Sequence, residues 1–179
     1  MAAPMGLNTR ATGGVDTLQD AERGRFLAFN LGREAFAMDI LTIKEVIQYA
    51  EITEVPLAPP SIRGVINLRG AVVPVIDLAV RFGWNRTEIA RRTCVVIVEM
   101  EQAGERAVLG VIVDQVREVL EIAQDLIEPA TTFGSKLRPD FIRGIGKVKG
   151  QFILILEINR VLALDELAAL APARPTVPA

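Results

Sequence analysis

Short runs in which apolar and polar residues alternate occupy most of the chain, and this pattern predicts β-strands. Three of the runs, 25–31, 35–40 and 93–100, are dense in β-branched and other apolar residues and end at glycines or charged pairs. A helical spacing of leucines appears only near the end, over about 159–170, before a tail rich in proline and alanine. The pattern therefore predicts an all-β fold with a short C-terminal helix.

An internal repeat organises these strands. Residues 62–78 align without a gap on residues 142–158, and four of the seventeen positions are identical. Upstream, residues 44–47 match residues 117–120 at an offset that is seven residues smaller, so the second copy carries an insertion. Copies of roughly 65 residues are marginal alone, so we expect them to pack together and share core residues.

Each copy contains a predicted β-hairpin. Arg69 and Gly70 form a two-residue turn between the apolar runs 64–68 and 71–78, and Lys149 and Gly150 stand at the same place in the second copy. Glycine supplies the positive φ that such turns need. Short strands with closely spaced turns are typical of small barrels. We expect one barrel over about 23–85 and a second over about 92–158.

Charge and composition narrow the class of protein. Twenty Lys and Arg against twenty-two Asp and Glu give a net charge of −2, which does not favour a nucleic-acid partner. No apolar run is long enough to cross a bilayer, and residues 1–22 lack the pattern of a signal peptide. We therefore expect a cytoplasmic protein with disordered tails at 1–22 and 171–179. Cys94 opens an apolar run and is interpreted as a small buried hydrophobe.

The residues offer little for catalysis. The chain has no histidine and one cysteine, so nucleophilic triads and zinc sites are not expected, and no cofactor is indicated. The remaining acid/base candidates are interpreted as polar positions on strands with one wet face; they are Asp39, Glu45, Asp114 and Glu118. The glycines of 144–150 fit neither phosphate-binding motif. We expect a protein that is not an enzyme.

Four segments carry a resemblance to a known family. They are FLAFNLGREAFAMDILTIKEVI (26–47), VPLAPPSIRGVINLRGAVVPVIDL (55–78), VVIVEM with LGVIVDQVREVL (95–120) and FIRGIGKVKGQFILILEI (141–158). Through them the chain resembles the CheW-like coupling proteins of bacterial chemosensory arrays, from about residue 22 to 170. The resemblance implies two tandem SH3-like five-stranded β-barrel subdomains that share a core.

The same resemblance implies partners and contact residues. Members of this family are non-catalytic adaptors that bridge the cytoplasmic tip of chemoreceptors and the regulatory domain of a CheA-type histidine kinase. It assigns receptor binding to Ile43, Glu45, Arg69 and Gly70, and kinase binding to Gly64. We expect a monomer in isolation that does not insert into the membrane and is recruited to membrane-associated arrays. A generic SH3-like peptide-binding module and, more weakly, a carboxylate enzyme remain the alternatives from the residues alone.

Overall fold

The computed structural model describes residues 23–102, 104–129 and 137–163. The tails expected at 1–22 and 171–179 lie outside these residues. Ten strands make up most of the described chain: β1 (Arg23–Leu31), β2 (Glu34–Asp39), β3 (Ile43–Gln48), β4 (Ile62–Leu68), β5 (Ala71–Asp77), β6 (Cys94–Gln102), β7 (Glu105–Val113), β8 (Gln115–Ala123), β9 (Ile142–Val148) and β10 (Gln151–Leu156).

The helical segments among the described residues are short. They are α1 (Leu78–Arg81), α2 (Ile158–Val161) and 3₁₀ turns at Ile40–Thr42, Gln124–Leu126 and Pro139–Phe141. The α2 helix overlaps only the first residues of the C-terminal helix expected over about 159–170: it ends at Val161, the next two residues are not helical, and residues from 164 onward lie outside the described part. No helix among the described residues has the length and apolar character needed to cross a membrane.

The strands form two five-stranded mixed sheets. One has the order β8-β1-β2-β10-β9 and is called barrel A, and the other has the order β3-β6-β7-β5-β4 and is called barrel B. An isolated bridge pairs one edge strand of each sheet with the segment that follows the other edge strand: Thr53 pairs with Val65 of β4 in barrel B, and Glu128 pairs with Ile145 of β9 in barrel A. The prediction of a mostly β fold with two five-stranded units is confirmed.

The expected boundaries of the two barrels need correction. Residues 23–85 do not form one barrel, because β1 and β2 enter barrel A whereas β3, β4 and β5 enter barrel B. The second copy divides in the opposite sense, with β6 and β7 in barrel B and β8 to β10 in barrel A. The chain crosses to the other sheet at the 3₁₀ turn after β2 and returns at Asp114. Barrel B is therefore one continuous segment, 43–113, placed inside barrel A.

The repeat itself is preserved through this exchange. If β1 to β5 are replaced by β6 to β10 and the reverse, the strand order of one sheet becomes that of the other. Local hydrogen bonds repeat as well: the Asp77 amide donates to the Ser61 carbonyl at 2.7 Å, and the Glu157 amide donates to the Phe141 carbonyl at 2.8 Å. The gapless alignment of 62–78 with 142–158 thus corresponds to one shared local structure.

The buried apolar residues of the described ranges form three clusters. One lies between the barrels and contains residues of both. The stacked rings of Phe29 and Phe36, from barrel A, belong to this cluster. The second fills barrel A and the third fills barrel B. Cys94 is half-buried and packs against the shared cluster, so the expectation of full burial is met only in part. The shared cluster confirms the predicted common core and joins the two barrels.

A buried ion pair fixes the connector between the copies. The Asp77 carboxylate is fully buried and accepts hydrogen bonds from Arg63 Nη1 at 2.9 Å, from the Thr87 amide at 2.9 Å and from the Thr87 hydroxyl at 2.7 Å. It also accepts from the Ala79 amide and so caps α1. A buried carboxylate is tolerated because each oxygen is paired. The connector is therefore held against barrel B.

Candidate functional site

The hairpin turn of barrel B places Arg69 and Gly70 at an exposed tip. Both residues have positive φ, 52° and 85°, as a type I′ turn requires. The Gly70 amide donates to Asn67 Oδ1 at 2.9 Å, and no atom lies within 4 Å of a side chain built there. The positive φ of the glycine agrees with the predicted turn, whereas that of Arg69 was not anticipated.

Arg69, in the turn between β4 and β5, forms a two-point ion pair with Glu45 of β3, the strand at the other edge of the sheet. Arg69 Nη1 donates to Glu45 Oε1 at 2.8 Å, and Nη2 donates to Oε2 at 3.0 Å. The Arg69 side chain is 77% exposed and that of Glu45 is 27% exposed. Parallel hydrogen bonds of this kind fix the guanidinium plane as well as its position. The pair thus presents an oriented charged surface to solvent.

Ile43 lies on β3, as Glu45 does, but its side chain packs on a different surface. A register shift between Ile43 and Glu45 interrupts the pairing of β3 with β6. Ile43 packs, half-buried, against the core between the barrels, while Ile47 packs inside barrel B. Such a bulge re-aims side chains along a strand. The structure therefore brings Glu45, Arg69 and Gly70 together and leaves Ile43 beside them at the junction of the barrels.

Gly64 lies apart from this tip, in the interior of β4. A Cβ atom there would meet the Thr53 carbonyl oxygen at 2.3 Å and Ile52 Cγ2 at 2.5 Å. The backbone approach is needed because Thr53 and Val65 exchange hydrogen bonds of 3.0 and 2.8 Å. Gly64 is thus buried against the segment that follows β3, and it offers no side chain to a partner.

The equivalent tip of barrel A is organised more loosely. Lys149 and Gly150 repeat the positive φ values, at 50° and 78°. Lys149 Nζ lies 4.0 Å from Glu118 Oε1, and both side chains are more than half exposed. Glu118 occupies the position of Glu45 in the repeat. The charge pattern is therefore the same in both barrels, but only barrel B has the two-point geometry.

The carboxylates considered as acid/base candidates have separate structural roles. Asp39 lines one surface cavity and Asp114 lines another. Glu45 and Glu118 pair with basic residues at the tips of different barrels. The described residues contain no group of His, Cys, Asp and Glu suited to a metal ion. The structure thus gives these carboxylates no shared site.

Sequence reasoning did not single out the 3₁₀ turn at Ile40–Thr42. Its central residue, Leu41, is 89% exposed and lies beside a surface cavity of about 520 Å³. The local signal is Asp39, whose carboxylate caps the turn by accepting from the Leu41 amide at 2.9 Å. An Asp before a short apolar stretch is a known capping pattern, but it was interpreted as a polar strand position.

Comparison with known proteins places this architecture in a family. A CheW-like domain model matches residues 25–166. The chemotaxis protein CheW of Klebsiella aerogenes is 34% identical over 143 residues, which cover 80% of this chain and 84% of that protein. A probable chemotaxis protein CheW of Rhizobium etli is 31% identical over 152 residues, covering 85% and 95%.

A solved structure shows the same fold. The scaffolding protein TtCheW of Thermoanaerobacter tengcongensis superposes with a TM-score of 0.68 at 35% sequence identity, covering 77% of this chain and 86% of that one. The family model, the sequence relatives and the solved structure thus point to the same family. The chain belongs to the CheW-like domain family and is a non-catalytic chemotaxis scaffold that couples receptors to their kinase.

Proposed function

We propose that the tip of barrel B docks the cytoplasmic tip of a chemoreceptor, and that the region of barrel B around Gly64 docks the regulatory domain of a CheA-type histidine kinase. The observation that carries the proposal is the oriented Arg69–Glu45 pair on an exposed hairpin. In this view Glu45 holds the guanidinium, and Arg69 and Gly70 contact the receptor. Ile43 supplies apolar surface at the junction of the barrels.

The chemistry of the tip suits a helical partner. A guanidinium has five N–H donors, and Glu45 uses two of them, so three can reach a partner's carboxylate or carbonyl groups. Val72, an exposed apolar side chain, lies on β5 two residues after Gly70. A charged and an apolar side chain this close along the hairpin suit an amphipathic helix, which presents both kinds of group.

Gly64 has no side chain, so its proposed part in kinase binding depends on the residues that pack against it. The residue packs against Ile52 and Thr53, and the chain that follows exposes Val55 and Leu57. Leu57 is 65% exposed and has a φ of 62°, which a residue other than glycine rarely adopts. We propose that Gly64 allows the close approach that holds 52–57 in place, and that Leu57 is the contact.

Binding of a receptor cytoplasmic fragment tests the first surface. Arg69→Ala should weaken binding by about 1 to 3 kcal/mol, as for an interface hot spot that donates several charge-assisted hydrogen bonds. Lys149→Ala is the matched control, because it removes a basic residue from the same turn of barrel A. Its binding should match that of the unmodified protein. Equal losses in both variants would remove the assignment of the receptor to barrel B.

Binding of the isolated kinase regulatory domain tests the second surface. Leu57→Ser should weaken kinase binding about tenfold while receptor binding is retained, because the leucine follows the segment that packs against Gly64 and contributes exposed apolar area. A variant that binds the kinase normally would exclude Leu57 as the contact. We also propose that the isolated protein is a cytoplasmic monomer recruited to receptor arrays, and sedimentation at the mass of one chain checks its oligomeric state.

A further inference from the structure

The turn at Ile40–Thr42, called here the Leu41 turn, is held in place although its central side chain contacts almost nothing. The Asp39 carboxylate accepts from the Leu41 amide at 2.9 Å, and the Thr42 hydroxyl donates to the Asp39 carbonyl at 2.7 Å. Leu41 has the highest exposure, 89%, of the large apolar side chains described. A single 3₁₀ turn has little stability of its own, so these side-chain bonds fix its position.

A second contact reaches the turn from the other copy of the repeat. Arg143, at the start of β9, donates from Nη1 to Asp39 Oδ2 at 3.4 Å, and its guanidinium lies 5.8 Å from the centre of the Phe26 ring. Asp39 therefore uses one oxygen for the cap and the other for Arg143. The Leu41 turn is clamped between strands from both halves of the chain.

The repeat shows that this use of Arg143 is a departure. The equivalent arginine of the first copy, Arg63, is nearly buried and pairs with the buried Asp77. In the second copy Asp77 is replaced by Glu157, which makes no capping bond, and Arg143 pairs instead with Asp39 at the surface. The same repeated residue thus supports the interior of one copy and an exposed turn in the other.

The cavity beside Leu41 indicates what the turn contacts. It has a volume of about 520 Å³, and its charged lining consists of Arg23, Arg25 and Arg143 against Asp39 and Glu121. One positive charge is in excess, which favours a partner carboxylate. The Leu41 turn also runs directly into β3, where Ile43 and Glu45 lie, so this surface is continuous with the proposed receptor site.

We infer that Leu41 is a receptor contact and that Arg143 is a positioning residue that holds it through Asp39. The partner is the receptor's helical tip, which would place an apolar side chain beside Leu41 and a carboxylate about one turn away against the basic side of the cavity. This inference rests on the proposed receptor site at Arg69 and extends it across the junction of the barrels.

Three variants of the full chain test the inference with a receptor cytoplasmic fragment. Leu41→Ser should weaken binding about tenfold, as expected for the loss of an apolar contact of about 1.4 kcal/mol. Arg143→Gln should weaken it about threefold, and Asp39→Asn should do the same because an amide keeps the cap but loses the ion pair. The double variant that combines Arg143→Gln with Asp39→Asn should bind the receptor fragment as well as either of its two single variants, because each of these substitutions removes the same ion pair.

Amide hydrogen exchange separates positioning from general stability. Arg143→Gln should speed exchange at residues 40–43 severalfold and leave exchange in β6 and β7 unchanged. Leu126→Ser is the control for an exposed leucine that does not line the cavity and should bind receptor normally.

Normal receptor binding by Leu41→Ser would overturn the contact, and unchanged exchange in Arg143→Gln would overturn the clamp. If Arg69→Ala also binds normally, the receptor site itself is misplaced; if Arg69→Ala alone is weakened, only the extension to Leu41 fails.

Discussion

The tips of the two barrels share a backbone and a charge pattern but differ in geometry. In barrel B the basic residue is Arg69, which meets Glu45 at 2.8 and 3.0 Å through both terminal nitrogens. In barrel A it is Lys149, whose single nitrogen lies 4.0 Å from Glu118. An arginine fork orients against a carboxylate, whereas an ammonium is a point charge on a flexible chain. One change of basic residue therefore distinguishes an organised surface from a solvated one.

The buried polar contacts also differ between the two copies, and again the more ordered arrangement is in barrel B. Barrel B contains the buried Arg63–Asp77 pair, with Thr87 completing the hydrogen bonds of the carboxylate. At the equivalent position of barrel A, Glu157 makes no cap bond and Arg143 pairs at the surface. The buried ion pair and the two-point surface pair therefore both lie in barrel B, which also carries Arg69 and Leu57, the proposed contacts for the receptor and the kinase.

The largest expected effect comes from breaking the buried pair. Asp77→Ala should lower the free energy of unfolding by about 3 to 5 kcal/mol, because Arg63 would keep its charge in a nearly buried site and the connector would lose its anchor. Chemical denaturation measures this. Glu157→Ala is the matched control and should change stability by less than about 1 kcal/mol. Comparable losses would show that the two copies do not differ in this respect.

A smaller difference is expected between the two buried glycines of the repeat. Gly64→Ala should destabilise the protein by about 2 to 3 kcal/mol, because the new methyl group would meet a backbone oxygen that pairs with Val65. Gly144→Ala should cost less, about 1 to 2 kcal/mol, because the nearest backbone atom, the Glu128 carbonyl oxygen, lies farther away at 2.9 Å, although the Ile127 methyl group must also move. Thermal unfolding of both variants decides the order. A larger loss at Gly144 would contradict the rigid approach at Gly64.

The smallest effect concerns the tips themselves. A double-mutant cycle on Glu45 and Arg69 should give a coupling free energy of about 0.5 to 1 kcal/mol, and the cycle on Glu118 and Lys149 should give about zero. The Arg69 side chain is 77% exposed, so added salt should reduce the first value. Equal couplings would remove the physical distinction between the two tips.

The local features were predictable because they depend on neighbouring residues. The hairpin turns at Arg69-Gly70 and Lys149-Gly150 follow from glycine between two apolar runs, and the repeat follows from direct alignment. The assignment of Glu45, Arg69 and Gly70 to one receptor surface came from the family resemblance. The structure places these three side by side, and their contact with a receptor stays a prediction.

The exchange of strands between copies was not predictable from the same pattern. The alternation of β1 and β2 is the same whether they pair with β3 to β5 or with β8 to β10, because each arrangement buries one face. The clamp on the Leu41 turn was missed for a similar reason. Asp39 and Arg143 are more than one hundred residues apart, and nothing local relates a capping Asp to a distant arginine.

The nesting of barrel B within barrel A has a consequence for synthesis on the ribosome. Barrel B has all of its strands once β7 is complete, whereas β1 must wait for β8, and Arg23 pairs with Ala123. The hairpin of β1 and β2 is therefore synthesised before barrel B, but its sheet is completed after barrel B. Until β8 to β10 are synthesised, Phe26, Phe29 and Phe36 remain exposed to solvent. A lone hairpin has little stability in water. β1 and β2 can therefore complete their sheet only after β8 to β10 have been synthesised, and their apolar side chains need protection until then.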